Sequence, residues 1–226
     1  MRTARYLLGL SVLVGAALVP VPALAAQPEV PPDCAVPPDT DLNQFNVIPG
    51  TDRSEVLRGT PGPDFICGRL GNDVIFALGG DDLIAGDTTT FLGDVNAAGG
   101  NDVVYAGPGD DQVLAGPGHD RVFGEAGDDF LTLAVGNDVG QGGPGDDMVF
   151  GGFGRDAVDG GTGNDNLVGG PDNDVITGGP GNDVIDGGQP PDGPPPPAPD
   201  APNDVCIGGT GTDTALNCDV TLGTEI

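Results

Sequence analysis

Thirteen aspartates recur at regular spacing and are the residues of this chain best suited to chemistry. Each is the sixth residue of a nine-residue unit, whereas glutamate occurs only four times in the whole chain. A merely solvated acidic surface would accept either acid, so the bias indicates that the short side chain is needed for geometry. The thirteen residues are Asp64, Asp73, Asp82, Asp102, Asp111, Asp120, Asp129, Asp138, Asp147, Asp156, Asp165, Asp174 and Asp183.

Catalysis fits these residues poorly. Adjacent pairs such as Asp146 and Asp147 are similar to glycosidase carboxylates, but the pairs return in successive units, which favours ligand geometry or solvated charge. The single histidine, His119, occupies the variable fifth place of its unit, and no Ser/His/Asp or Cys/His set can be assembled around it. Chance matches to glycine-rich nucleotide loops are followed by no predicted helix. We therefore expect no enzyme active site.

The aspartates belong to an internal repeat. Ten nonapeptides run without a gap from Ala97 to Asp186, from AAGGNDVVY to GGPGNDVID, and three more cover residues 59–85 as GTPGPDFIC, GRLGNDVIF and ALGGDDLIA. Residues 86–96 look like a degenerate half-turn. A proline tract then interrupts the array before the damaged units NDVCI and GGTGTDTAL. The eighth place is aliphatic in every regular unit except one, where Gly140 stands.

Each unit contains the signals of one turn and one short strand. Glycines at the first, second and fourth places permit positive φ and close backbone approach, so the first six residues predict a turn. The last three favour a strand whose eighth side chain points inward by alternation. Two units then make one 18-residue coil, and the coils of such a parallel solenoid stack about 4.8 Å apart. The predicted fold is all-β with irregular end caps.

Stacking places each sixth-place aspartate above the one two units earlier. At about 5 Å and an effective dielectric near 20, each like-charged neighbour costs roughly 3 kcal/mol, whereas one buried Ile or Val contributes about 1.5–3 kcal/mol. A bare array is therefore expected to stay largely unfolded until a cation binds between the aspartates. Calcium fits best, because it accepts six to eight oxygens in forgiving geometry. Transition metals prefer His or Cys, and magnesium holds its waters tightly.

The unit GG-x-G-x-D-x-U-x, where U is a large aliphatic residue, resembles the calcium-binding nonapeptide of the repeat-in-toxin (RTX) proteins, also called the haemolysin-type calcium-binding repeat. The resemblance covers about half the chain. It implies a parallel β-roll, a right-handed solenoid with two nonapeptides in each coil, in which calcium lies between the turns of units n and n+2. The implied ligands are the thirteen sixth-place carboxylates and turn carbonyls.

The resemblance also implies a number of ions. The ten uninterrupted units provide eight pairings and thus about eight calcium ions within residues 97–186, for example between Asp147 and Asp165. Two units depart from the family pattern. LAVGNDVGQ lacks the first two glycines and the inward aliphatic residue, which predicts weak pairing through Asp138, and Asp172 replaces the fourth-place glycine of GGPDNDVIT.

The amino terminus predicts export. Arg2 and Arg5 precede an uncharged run from Tyr6 to Val19, and residues 23–25 offer a small-x-small cleavage pattern. The run is too short to span a bilayer comfortably, so we expect a removable secretory signal and no membrane span after its removal. An amino-terminal signal differs from the carboxy-terminal signal that many RTX proteins use. The expected location is extracellular, with the cell surface or the periplasm as alternatives.

These observations divide the chain into segments. Residues 1–25 are the predicted signal peptide, 26–58 a Pro/Asp-rich linker and amino-terminal cap, 59–186 the calcium-binding β-roll, irregular at 86–96, 187–202 a proline-rich loop, and 203–226 degenerate repeats with a carboxy-terminal cap. Four cysteines in an exported chain predict disulfides, for which three connectivities exist. We favour Cys34–Cys67 and Cys206–Cys218, because each pair would staple one end of the array.

The net charge of −28 limits the classes of molecule that the chain can bind. Such a chain repels nucleic acid and anionic membranes and attracts cations such as calcium. We expect a structural or adhesive surface module or, alternatively, an accessory or polysaccharide-acting module; a permanently disordered acidic chain is the third reading. Places seven and nine should face outward, and the face that carries Phe130, Met148 and Phe150 is somewhat apolar. These are either ordinary exposed strand residues or a face for self-association or for a cell-surface glycan or protein partner.

Overall fold

The structure, a computed structural model, describes residues 34, 40–87, 99–188, 204–218 and 220–223. The predicted signal peptide, residues 26–33 and 35–39 of the predicted linker and cap, residues 88–98 and most of the predicted proline-rich loop lie outside the described residues. Within the described residues, no helix has the length and apolar character needed to cross a membrane.

Eighteen short strands follow one 3-10 helical turn, Leu42–Gln44, among the residues that the structure describes. The strands are β1 Asn46–Pro49, β2 Val56–Arg58, β3 Asp64–Cys67, β4 Val74–Phe76, β5 Leu83–Ala85, β6 Val103–Pro108, β7 Gln112–Pro117, β8 Arg121–Ala126, β9 Phe130–Val135, β10 Val139–Pro144, β11 Met148–Phe153, β12 Ala157–Thr162, β13 Asn166–Val168, β14 Val175–Pro180, β15 Val184–Asp186, β16 Val205–Thr210, β17 Thr214–Leu216 and β18 Val220–Leu222.

The strands form two parallel sheets of nine strands each, one from the odd-numbered and one from the even-numbered strands. Each strand pairs with the strand two further along the chain, as in Gln112 opposite Phe130 and Met148 opposite Asn166. The usual step from one coil to the next is two nonapeptides. The two sheets face each other, so two nonapeptides make one coil, and the predicted all-β parallel solenoid is confirmed.

Two insertions lengthen single turns without disturbing the sheets. The hydrogen bond that the Asp73 N–H donates to an aspartate side chain of the next coil spans 29 residues. The equivalent bond from Asp174 spans 30 residues, whereas the one from Asp129 spans 18 residues. The interpretation of residues 86–96 as a degenerate half-turn is wrong, because β4 pairs directly with β6 and β5 with β7. Parallel pairing requires only that each turn returns the chain to the same register.

The sheets extend beyond the regular repeats at both ends. β1 pairs with β3, with Asn46 opposite Asp64, and β16 to β18 continue the same pairing after the second insertion. The favoured disulfides are both present in the structure, Cys34–Cys67 at one end and Cys206–Cys218 at the other. Cys34, Cys67 and Phe65 form a small buried cluster at the first coil, separate from the main core.

The main core is a narrow column of eighth-place side chains between the sheets. Each regular strand except the one with Gly140 points an aliphatic residue inward, and Ile75, Leu131 and Ile185 are fully buried examples. Many strands are six residues long and include the first three places of the next unit, so the turn is shorter than predicted. At Gly140 the missing side chain is replaced by Leu133, since an added Cβ at Gly140 would lie 2.9 Å from Leu133 Cδ1.

The outer faces carry places seven and nine, as predicted from alternation. Rings stack along the even-numbered sheet, with centroid distances of 5.0 Å from Phe76 to Tyr105 and from Tyr105 to Phe123. Apolar exposure occurs on both faces, for example at Phe130 on the odd-numbered sheet and at Val139 and Val175 on the even-numbered sheet. The apolar character that the sequence placed on one face is therefore shared by both.

Candidate metal centre

The sixth-place aspartates line the two corners where the chain enters the strands. All thirteen are buried, with at most 3% of the residue surface exposed. The backbone N–H of each donates to Oδ1 of the aspartate one coil further on, as from Asp129 to Asp147 at 2.8 Å and from Asp147 to Asp165 at 2.9 Å. The repeat thereby builds a continuous carboxylate ladder along each corner.

The two ladders contain all the predicted aspartates and extend beyond them. Asp174 donates to Asp204 at 2.9 Å and Asp183 donates to Asp213 at 3.1 Å, across the second insertion. The sequence carried a signal for both, because NDVCI and GGTGTDTAL keep an aspartate at the sixth place. The ladders are Asp64, Asp82, Asp111, Asp129, Asp147, Asp165, Asp183 and Asp213 at one corner, and Asp73, Asp102, Asp120, Asp138, Asp156, Asp174 and Asp204 at the other.

Asp87 is a further buried carboxyl that the sequence did not indicate. It lies in the irregular stretch, where no repeat position marks it, and both of its carboxylate oxygens accept the Gly100 N–H, at 3.2 and 3.0 Å. Burial, opposed by this hydrogen bond, together with repulsion from carboxylates that include Asp102 and Asp120, raises its pKa to about 8. Asp87 therefore adds a carboxyl to the corner of the ladder that contains Asp73, Asp102 and Asp120.

The second oxygen of nearly every ladder aspartate has no partner. While Oδ1 accepts a backbone N–H, Oδ2 is buried without a hydrogen bond at twelve of the thirteen predicted aspartates and at Asp213. Asp64 is the exception, because the Thr60 N–H donates to its Oδ2. A buried carboxylate oxygen without a partner is costly, since its desolvation is not repaid by any hydrogen bond. The repetition of this feature indicates that these oxygens are suited to a positively charged partner.

The pKa values of most ladder aspartates are raised by the same unfavourable desolvation. Burial is the largest cause in each case, and the hydrogen bond from the neighbouring backbone opposes it without cancelling it. The pKa rises from 3.8 to about 6 at Asp147 and Asp165 and to about 8 at Asp111 and Asp120. Repulsion between neighbouring carboxylates adds to the increase. The ladders therefore favour protons or bound cations over free carboxylates.

Main-chain carbonyls face the same space as the free Oδ2 atoms. A Cβ added at the first-place Gly142 would lie 2.3 Å from Asp147 Oδ2 and 2.6 Å from Gly160 O. That point is about 1.5 Å from the glycine Cα, too close to be an ion position, but it shows that both oxygens converge beside this glycine. Positive φ occurs instead at the second and fourth places, as at Gly143 (122°) and Gly145 (149°), where the backbone approaches the previous coil.

The divergent unit around Asp138 keeps its place in the ladder. Asp120 donates to Asp138 Oδ1 at 2.8 Å, and Asp138 donates to Asp156 Oδ1 at 2.9 Å, distances equal to those of the regular units. The unit stays in register because Leu133 supplies the core side chain that Gly140 lacks. Weak calcium pairing through Asp138 stays a prediction, since these hydrogen bonds do not involve the ion.

The fifth-place side chains form a second, exposed ladder. Asp128 Oδ1 accepts the Asp146 N–H at 2.9 Å, and Asp146 Oδ1 accepts the Asn164 N–H at 2.7 Å. On the other corner, His119 takes the same role, since its Nδ1 accepts the Asn137 N–H at 2.8 Å. His119 is an exposed rung of this ladder, which accounts for it structurally.

The donors at the corners suit a hard cation. They are carboxylate and carbonyl oxygens, and all four cysteines are held in disulfides. No three His, Cys, Asp or Glu side chains converge on one point within the described residues; at first-place glycines such as Gly124, Gly142 and Gly178, the free Oδ2 and a main-chain carbonyl oxygen face the same space. An all-oxygen set of few carboxylates and several carbonyls matches the ligands of calcium. The residues therefore fit the ion that the sequence predicted.

Comparison with known proteins gives one match. The family model described as RTX calcium-binding nonapeptide repeat matches the chain in four copies, at residues 49–87, 96–131, 134–167 and 159–189, which together cover more than half of the chain. A comparison with curated proteins found no match. The matched segments include every sixth-place aspartate of the regular units.

Proposed function

Because the chain belongs to the RTX calcium-binding nonapeptide repeat family, we propose that it is an exported, non-enzymatic β-roll that folds when several calcium ions bind between its coils. The ions would be held by consecutive ladder aspartates, such as Asp147 and Asp165, and by carbonyls of the turns. When bound, calcium supplies the positive charge that these buried oxygens need.

The observation that carries this proposal is the row of buried Oδ2 atoms without partners. The calcium-free roll must keep these carboxyls either protonated, at a cost near neutral pH, or ionised and repelling each other. A ligand that binds only the folded state stabilises it by about 2.7 kcal/mol per site at a hundredfold excess over its Kd. Several such sites in one small solenoid are enough to decide whether the chain folds.

A biological role follows from this coupling. Extracellular calcium modules commonly have Kd values of roughly 10⁻⁴–10⁻³ M, so the chain would stay unfolded at low cytosolic calcium and fold after export. The proposed role is a structural or adhesive module at the cell surface. The use of His119 as a fifth-place rung and the absence of an assembled catalytic set around it in the described residues support a non-enzymatic role.

The outer face of the odd-numbered sheet is the proposed contact surface for self-association or for a glycan or protein partner. Phe130 and Phe150 lie 5.6 Å apart between ring centroids, and Phe130 is 44% exposed. A shallow concavity of about 260 Å³ next to them is lined by Leu83, Gln112 and Leu114 among others. Replacing Phe130 and Phe150 by glutamate should change the oligomeric state or partner binding of the calcium-loaded protein; unchanged behaviour would remove this face from the proposal.

The test of calcium-coupled folding is a titration of the purified, calcium-free protein. Far-UV circular dichroism should change from a disordered to a β-rich spectrum between roughly 0.1 and 10 mM calcium, and calorimetry should report several ions per chain. Magnesium at the same concentrations serves as control, because it gives up its waters reluctantly. A spectrum that calcium leaves unchanged would refute the proposal.

The alternative role, an accessory or polysaccharide-acting module, predicts different behaviour once calcium is bound. The calcium-loaded protein should then bind immobilised polysaccharides or show hydrolase activity. We expect neither hydrolysis nor calcium-dependent retention on a panel of neutral and acidic polysaccharides. Specific retention would favour the accessory role, and turnover would refute the non-enzymatic one.

A further inference from the structure

The first place of the unit is not glycine everywhere. Among the described residues, four units begin with Ala77, Ala106, Ala115 or Leu133, and all four side chains are buried members of the main core. The first-place glycines, such as Gly124, Gly142 and Gly160, do not have positive φ. Glycine at this place is therefore not needed for the backbone conformation.

First-place glycine instead keeps a space open at the corner. The Cβ of an alanine would lie 2.3 Å from the free Oδ2 of the same unit at Gly124, Gly142, Gly160 and Gly178. It would also lie 2.6 or 2.7 Å from the next first-place carbonyl at Gly124, Gly142 and Gly178. Carbon atoms do not approach oxygen so closely without displacing it. A side chain does not fit at any of these four corners, and at Gly124, Gly142 and Gly178 two oxygens face the open space.

The corners with a side chain have the opposite character. Ala77, Ala106, Ala115 and Leu133 occupy the first places of the units whose sixth-place residues are Asp82, Asp111, Asp120 and Asp138, and all four side chains belong to the main core. A Cβ at the equivalent glycines points to the free Oδ2 of its unit, so in these four units a carbon atom takes part of the space that the glycines leave open. A hard cation needs six to eight oxygens around it and gains nothing from a methyl neighbour.

We infer that the first-place residue selects which corners bind calcium, so that the corners of Asp82, Asp111, Asp120 and Asp138 are closed to the ion. The units from Gly142 to Gly178 all begin with glycine and form an uninterrupted calcium-binding block. This inference rests on the proposed function, because it assigns the ions of that function to particular corners. It therefore assigns to residues 97–186 fewer calcium ions than the eight that one ion for each pairing of aspartates would give.

The closed corners coincide with the part of the roll that has the most apolar support. Ala106, Ala115 and Leu133 add core side chains to the column of eighth-place residues. The stacked rings of Tyr105 and Phe123 lie on the outer face of the same coils. The middle coils are thus stabilised by carbon contacts, whereas the block that begins at Gly142 depends on the ion.

The experiment counts calcium ions per full-length chain by equilibrium dialysis. Ala106→Gly and Ala115→Gly should each raise the count by about one ion, because they remove the methyl from the corner. Gly142→Ala and Gly160→Ala should each lower it by about one or more ions, since each glycine borders an open corner. Two matched controls make the same types of substitution away from the corners and should leave the count unchanged. Ala126→Gly lies at an exposed third place, and the Cβ added by Gly62→Ala meets no atom within 4 Å.

A second measurement does not depend on the folding of variants. Hydrogen exchange of the wild-type chain should show that chelation removes protection from strands β11 to β17 while strands β6 to β9 keep more of it. Uniform loss along the roll, or counts that stay unchanged in both Ala106→Gly and Gly160→Ala, would overturn the inference. A wild-type chain that binds no calcium would instead refute the proposed function, so the two failures are distinguishable.

Discussion

Replacement of one ladder aspartate by asparagine should have opposite effects with and without calcium. Asp147→Asn keeps the oxygen that accepts the Asp129 N–H and replaces the partnerless Oδ2 by an amide. The matched control is Asp146→Asn, which changes the adjacent, exposed fifth-place carboxylate. Asparagine already occupies the equivalent place at Asn164, where it accepts the Asn182 N–H at 3.1 Å.

The magnitude follows from the pKa of Asp147. Burial, opposed by the Asp129 hydrogen bond and assisted by repulsion from Asp129, Asp128 and Asp146, raises it from 3.8 to about 6. A raised carboxyl pKa makes ionisation of the folded state costly, by about 3 kcal/mol at neutral pH for a shift of roughly two units. Asp147→Asn should therefore stabilise the calcium-free roll by about 1–3 kcal/mol, since the new amide recovers only part of the polar cost.

With calcium the sign reverses, because a carboxylate ligand is lost from the sites on both sides of Asp147. A tenfold weaker affinity costs about 1.4 kcal/mol per site at saturating calcium. Urea unfolding with calcium should show the loss. Folding induced by an osmolyte in chelator, followed by circular dichroism, should show the gain. Asp146→Asn should change both much less. Destabilisation of Asp147→Asn in both conditions, or no difference from the control, would refute the cation-binding role of the ladder.

Three further outcomes are expected. Without calcium, lowering the pH from about 8 to about 5 should increase the β structure seen by circular dichroism. The pKa values of the buried carboxyls are raised to about 6–8 in the folded state, so protonation below these pH values favours folding, and this contribution is lost as the pH rises through them. A calcium-free spectrum that does not depend on pH would contradict this. Leu133→Ala should cost about 3–4 kcal/mol in calcium-loaded urea unfolding, since Gly140 cannot fill the cavity, whereas Val139→Ala, a half-exposed control, should cost much less. Replacing Cys206 and Cys218 by serine should lower stability by about 3 kcal/mol for a 12-residue loop, and an unchanged denaturation midpoint would count against this.

Most of the architecture could be predicted from the sequence because the contacts of a solenoid repeat with the sequence. The aspartate, the glycines and the eighth-place aliphatic residue return in each nonapeptide, so the pairing of Asp147 with Asp165 follows from counting. The sequence did not reveal the length of the turns, since the first three places look like turn residues but join the strands in the structure. It also gave no signal for Asp87, which lies outside the regular units and is buried in the structure.

The sequence by itself determined the period and the parallel coil and predicted a cation between the coils, because each depends on residues that act in the same way in every unit. The tertiary structure decided what depends on neighbours far apart in the chain. Only the stacked coils make Leu133 fill the space at Gly140 and bring Asp204 and Asp213 into the ladders across an insertion. Stacking also leaves one oxygen of most ladder carboxyls, such as those of Asp147 and Asp165, satisfied and the other without a partner. That division of the two oxygens is a property of stacking, since the N–H that satisfies the first comes from the adjacent coil.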